Sequence, residues 1–399
     1  MSRSKHDRSL LRERKPHQHN RVTYVELFFD LVFVFAITQI SHFMLAHFTP
    51  LGVLQTSILM FAVWWVWVFT SWITNWLDPE QTPVRVMLFA LMIVGLLLST
   101  SIPRAFEDRG LVFALAFAGM QVGRSAFFLW SVPKSDIGQH RNFIHILAWL
   151  SISGIFWVAG GLAGTEVRIG LWSLALLIEY IGPAARFRIP ILGASSTQDW
   201  VVEGGHMAER CAGFIIIALG ESVVVTGATF ADAAWTATTI TAFMVALVGS
   251  IAMWWVYFHI GAEAGSEHIS RAKDSGRLAR LAYTYLHLPI VAGIVVSAVG
   301  DELLLAHPEG HSGVKEIISM IGGPLLYLAG VILFKRSIHG QLQLSHLIGI
   351  GLLVVLTPFA HLLTPLLLSA ATAVIMLIVA IWEAVSIGSK QSHSEATSA

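Results

Sequence analysis

Again and again along this chain, about twenty residues pass with hardly a charged side chain among them. At 1.5 Å per residue, a helix of that length crosses the hydrocarbon core of a bilayer. It also satisfies its own backbone N–H and C=O groups there, as lipid requires. On that rule helices are expected near 24–47, 52–74, 84–102, 110–131, 143–163 and 168–186. A second set is expected near 206–226, 236–261, 278–299, 315–334, 344–363 and 365–387. Only the Thr364-Pro365 break separates the last two. Composition agrees: 13% of the 399 residues are charged and 55% are hydrophobic, against about 25% charged in soluble chains. A water-facing globular body is excluded, and the expected fold is an all-α polytopic membrane protein with about twelve transmembrane helices. The 25 basic and 25 acidic residues cancel, so no global field points to nucleic acid. A lone Cys211 excludes a disulfide framework and any paired-cysteine metal or haem site.

Loop charge orients the spans, because cytoplasmic loops hold the excess of Lys and Arg. Residues 1–21 carry seven of them without an apolar core, so they read as a disordered basic tail rather than a signal peptide. If that tail is cytoplasmic, nineteen Lys/Arg fall inside, among them Lys335, and only Arg104, Arg109, Arg168 and Lys315 fall outside. The alternation holds for twelve spans with both termini cytoplasmic. A second disordered tail is expected at 389–399.

The two halves echo one another. Trp64-Trp65-Val66-Trp67 in the second span returns as Trp254-Trp255-Val256-Tyr257 in the eighth. Gly95 to Ser99 matches Gly293 to Ser297, and Glu179 matches Glu383 at the end of the sixth and twelfth spans. The expectation is a duplication, 22–200 and 201–388. An even number of spans per repeat makes the halves parallel, as in some secondary transporters.

Ionisable groups inside spans cost about 2.5–3.5 kcal/mol each on insertion scales and usually face a protein interior or an aqueous cavity. Here they are Glu26, Asp30, Arg124, Glu179, Glu209, Arg210, Glu221 and Glu383. Glu26 and Asp30 are four apart on one helix face and would repel unless a cation lies between them. The assumed topology brings all but Glu221 to the cytoplasmic half. Glu221 lies deeper, alone among the acids, and is the expected proton-exchange group. The plainer alternative is that helix ends tolerate Glu26, Glu209 and Arg210, while Glu179 or Glu383 pairs with Arg124 or Arg210 as interhelical glue. His42 and His287 are candidate proton relays, with satisfied packing histidines as the alternative. No HExxH spacing, Walker A run or nucleophile elbow occurs, so no metal, cofactor or ATP site is expected.

Three segments resemble a known family. Val22-Thr-Tyr-Val-Glu-Leu-Phe-Phe-Asp-Leu-Val-Phe-Val-Phe-Ala-Ile37 is similar to the opening signature of the bacterial low temperature requirement A family. His206-Met-Ala-Glu-Arg210 with Leu219-Gly-Glu-Ser222 resembles a second hallmark, and Gly322 to Tyr327 with Phe334-Lys-Arg336 a third. The resemblance implies a bacterial cytoplasmic-membrane protein of a family named for a growth defect in the cold. It implies no substrate. Glu26, Asp30, Glu209, Arg210 and Glu221 lie within these segments.

Together these features lead to a secondary transporter or permease, proton- or cation-coupled, for an unknown small molecule or ion. Its expected cavity lies between the halves and is lined by Glu26, Asp30, Arg124, Glu179, Glu209 and Arg210. The rivals are a membrane enzyme acting on lipid or lipid-linked groups, and a non-catalytic stress or cold-growth factor.

Overall fold

The computed structural model describes residues 10–12, 21–190, 193–194, 202–259 and 275–398, with 275, 339 and 387–398 by backbone alone. Among the described residues twelve helices are long and apolar enough to cross a membrane, and no strand occurs. In order they are Tyr24–Ala46, Pro50–Trp76, Thr82–Arg104, Gly110–Ser131, Ile137–Leu162, Thr165–Ala184, Gly204–Asp232, Ala237–Phe258, Gly276–Ala306, Val314–Ile338, Leu344–Leu362 and Pro365–Ser386. We number these spans one to twelve. Most of the basic tail lies outside the described residues. Where only backbone is described, the last helix continues to Ser398 through the tail expected at 389–399.

Helix starts follow local chemistry. Thr49 caps the second span by accepting from the Gly52 N–H, with Pro50 in the first turn where its missing N–H costs nothing. Asp136 caps the fifth through the Gln139 N–H, and Thr236 with Thr239 closes a reciprocal box on the eighth. Pro183 near the end of the sixth span precedes a sharp turn in which Arg186 and Phe187 both have positive φ, and Phe187 is buried.

Three boundaries differ from expectation in ways that matter for charge. The ninth span extends past 299 to Ala306, which brings Asp301 into the helix. The tenth runs past 334 to Ile338, so Lys335 is a buried helical residue rather than a loop cation. Arg168, expected in an outer loop, lies in the first turn of the sixth span. Its guanidinium donates to the carbonyls of Ala105, Glu107, Gly160 and Ala163 at 2.7–3.1 Å, closing helix ends that would otherwise be orphaned.

The chain folds as two compact units. The first comprises Met1–Phe43, Thr49–Arg210 and Ser270–Ala279; the second comprises Met44–Phe48, Cys211–Ile269 and Arg280–Ala399. The first unit is built around aromatics: Trp157 and Trp172 pack with Phe113 at centroid distances of 5.1–5.9 Å, and Trp65 stacks on Tyr180 at 4.0 Å. The second relies on close backbone approach. A Cβ on Gly293 would lie 2.5 Å from the Tyr327 nitrogen, and one on Gly323 would collide with Ser297. Small residues let helices approach closely in lipid, where packing replaces the hydrophobic drive. Large apolar side chains such as Leu31, Ile93, Ile155, Val224 and Val385 are exposed, as a lipid-facing surface requires.

Candidate functional site

The first unit holds a buried ionic assembly where the first, second and seventh spans meet. Arg210 donates from both terminal nitrogens to Asp30, at 2.8 Å to each carboxylate oxygen. The Trp67 indole N–H donates to Asp30 Oδ1 at 2.8 Å, and Arg210 Nε reaches Ser71 Oγ at 3.3 Å. Such a bidentate, fully buried pair is among the stronger charge-assisted arrangements.

One turn earlier, Glu26 is also fully buried. Its Oε2 accepts from Arg12 Nη2, the Thr23 N–H and the Thr23 hydroxyl, each at 2.9 Å. Its Oε1 lies 2.9 Å from His206 Nε2. The Asn75 amide nitrogen is 3.3 Å from His206 Nδ1. The network therefore assigns the proton to Nε2, which donates to Glu26. Asn75 also pairs with both backbone groups of Glu203, at 2.9 and 3.1 Å, tying the end of the second span to the entry of the seventh. Arg12 lies within the stretch expected to be a disordered tail. Its side chain is buried and also donates to the carbonyl of Thr74 at 2.7 Å. Arg12 thus sets positive charge against Glu26, and Arg210 against Asp30.

A second station in this unit links the second, fourth, fifth and sixth spans. Arg124 donates to the Val66 carbonyl at 3.0 Å, to the Thr70 hydroxyl at 2.9 Å and to the Gln121 side-chain oxygen. Gln121 passes the contact on, its amide donating to Glu179 Oε2 at 2.6 Å. Glu179 Oε1 accepts from Ser153 at 2.6 Å and from Trp157 at 3.1 Å.

The second unit repeats that pattern with different chemistry. Lys335 in the tenth span donates to the Val256 carbonyl at 2.8 Å and to Glu383 Oε1 at 2.5 Å. Val66 and Val256 are the same position of the two echoed Trp-Trp-Val segments. In each unit a buried base thus binds that valine's carbonyl and faces the glutamate near the end of a later span. Beyond Lys335 the second station has less support: Glu383 Oε2 has no hydrogen-bond partner among the described residues.

The second unit also holds a partly open cavity of about 30 Å³ whose polar lining includes Ser222, Ser250, Ser297, Asp301, Ser369 and Thr372. Ser222 Oγ lies 3.3 Å from Asp301 Oδ2 and 3.5 Å from Ser250 Oγ. Glu221 is buried next in sequence and acts electrostatically on Asp301. It is therefore not alone among the acids, as its sequence depth implied. The ninth span's extra length supplies a second one.

Three expected residues stay out of these groupings. Glu209 is exposed, and its carboxylate accepts from the Val22 N–H at 3.0 Å, fastening the entry to the first span. His42 is exposed on the first span. His287 is buried between the Ala282 carbonyl and the Tyr257 hydroxyl, each 2.8 Å from a ring nitrogen. Only an N–H approaches a carbonyl so closely, so Nδ1 donates and Nε2 accepts from tyrosine: a satisfied histidine fixed beside the π-helical turn Arg280–Tyr285. Sequence reasoning missed Arg12, Trp67, Asn75, Gln121, His206, Asp301 and Lys335 as members of these groups. His206 and Lys335 do fall within the family-like segments, and Trp67 within the echoed motif, so a signal existed for those three.

Twelve spans with paired charges buried inside their bundles define an integral, polytopic membrane protein. The chain belongs to the bacterial low temperature requirement A family: the profile described as "Bacterial low temperature requirement A protein (LtrA)" matches residues 21–381. It is similar to "Uncharacterized protein RA0937" of Rhizobium meliloti (strain 1021), 39% identical over 368 residues that cover 92% of this chain and 90% of that one. No solved structure matches it.

Proposed function

We propose that the chain is a secondary transporter or permease of the bacterial cytoplasmic membrane, coupled to protons or a cation, with its ion site at Glu221, Ser222 and Asp301. The observation that supports this reading is the small polar cavity beside those residues. A carboxylate and five hydroxyl side chains line a space large enough for one or two waters or a small cation. Polar groups of that kind within a span are costly unless they are paired or used. The clusters of the first unit, in which Asp30, Glu26 and Glu179 have both carboxylate oxygens engaged, fit a supporting part: they hold helices together.

Both termini are assigned to the cytoplasm. Moving Lys335 and Arg168 from loops into helices leaves the excess of inner-loop Lys and Arg intact. The matched Arg124–Val66–Glu179 and Lys335–Val256–Glu383 stations support descent of the two halves from one six-span repeat.

The test is thermal unfolding of the purified, detergent-solubilised protein against monovalent ions and metabolites from about pH 5 to about pH 9. A ligand at a hundred times its dissociation constant stabilises by about 2.7 kcal/mol. The expected result is a pH-dependent ion response that disappears in Glu221→Gln and in Asp301→Asn. A response that persists in both variants removes this site. Stabilisation by lipid or divalent metal alone favours a membrane enzyme instead.

A further inference from the structure

We propose that Lys335 and Glu383 form a proton-exchange site, the labile counterpart of a locked station in the first unit. The geometry separates the two. Glu179 has both oxygens engaged by neutral donors, and its base reaches it only through Gln121. Glu383 is 3% exposed, touches its base directly through Oε1, and has Oε2 without a hydrogen-bond partner among the described residues. A buried acceptor oxygen with nothing to accept is costly, and a proton on it removes the cost.

The step balances with a proton from water as the only co-reactant. Oε2 of the carboxylate takes up the proton, and the pair passes from ammonium plus carboxylate to ammonium plus carboxylic acid, gaining one positive charge. Release returns it. Lysine suits such a site, because a compact ammonium can be left with one carboxylate oxygen and a backbone carbonyl. A guanidinium would hold the carboxylate ionised through a rigid fork. Other titratable groups acting on the pair are His259 from the end of the eighth span, Tyr327 from the tenth and His346 from the eleventh. The inference does not depend on transport, since protonation at equilibrium is read without a substrate.

The experiment is pH-difference infrared spectroscopy of the full-length protein in lipid nanodiscs between about pH 5 and about pH 9. Acidification is expected to raise a protonated-carboxyl band that Glu383→Gln abolishes. Lys335→Arg, which keeps a cation in place, is expected to remove the same band from that pH interval. A band unchanged in Lys335→Arg overturns the proposal even if Glu383→Gln fails to fold. A band lost in Glu221→Gln or Asp301→Asn but retained in Glu383→Gln also overturns it, while leaving the cavity site of the second unit standing.

Discussion

The two units meet the same problem, a base and an acid buried among apolar helices, with opposite amounts of redundancy. In the first, Arg124 is distributed over a carbonyl, a hydroxyl and an amide, and Glu179 is held by three neutral donors. In the second, Lys335 has one carbonyl and one carboxylate oxygen. Redundancy fixes a charge state, because every alternative breaks several bonds at once. A single contact leaves the pair free to change. Alongside this, the first unit carries the Asp30–Arg210 and Glu26–His206 assembly, whereas the second carries the hydroxyl-lined cavity. On the proposed reading, one unit holds and the other exchanges.

The harshest way to break that contrast is Asp30→Ala. It strands the Arg210 guanidinium, buried against the Ser71 hydroxyl and the face of Trp67. Removing one partner of a buried pair costs about 3–5 kcal/mol. Thermal unfolding in detergent should show most of the protein's stability gone. A loss under about 1 kcal/mol would mean that water reaches Arg210 and the assembly is not a structural clamp.

Next come Glu179→Gln and Arg124→Lys. Each removes or misplaces bonds among buried groups, at about 1–3 kcal/mol for each group left unsatisfied. The lysine has one nitrogen to replace a fork spanning Val66, Thr70 and Gln121. The reciprocal change Lys335→Arg should be tolerated better than Arg124→Lys. Equal losses in unfolding temperature for the two swaps would erase the distinction between a locked and a labile station.

How far this contrast was readable from sequence depends on the kind of evidence each part needed. The twelve spans were legible because length and apolarity are enough to specify a membrane helix. Membership of the two stations was half legible. Glu179 and Glu383 were reached from the echoed halves, but Lys335 was placed in a loop, because a charge near a helix end reads as the end itself. The same reasoning stopped the ninth span before Asp301. Arg12 could not be found at all, since a basic tail carries no periodicity to say which of its cations docks. Glu209 was reached as an ionisable group at the start of the seventh span, a position that does not say which way it points, and adjacent residues on a helix point about 100° apart. Only Arg210 faces Asp30.

The smallest expected effect separates the two Trp-Trp motifs. Trp64, Trp65 and Trp67 are buried, and Trp67 donates to Asp30, so Trp67→Phe removes a hydrogen bond to a charged group at about 1.5–3 kcal/mol. Trp254 and Trp255 are 45% and 41% exposed in the second unit, and Tyr257, the position matching Trp67, turns instead to His287. Trp254→Phe keeps the aromatic bulk and touches no hydrogen bond in the station beside it, so its effect should stay within about 0.5 kcal/mol. Unfolding curves of both variants in one detergent decide the matter. A cost for Trp254→Phe as large as that for Trp67→Phe would show that an echo in sequence carries its role with it. The expected inequality shows that only the valine carbonyl between the aromatics was kept in use, with the ring before it free to face lipid.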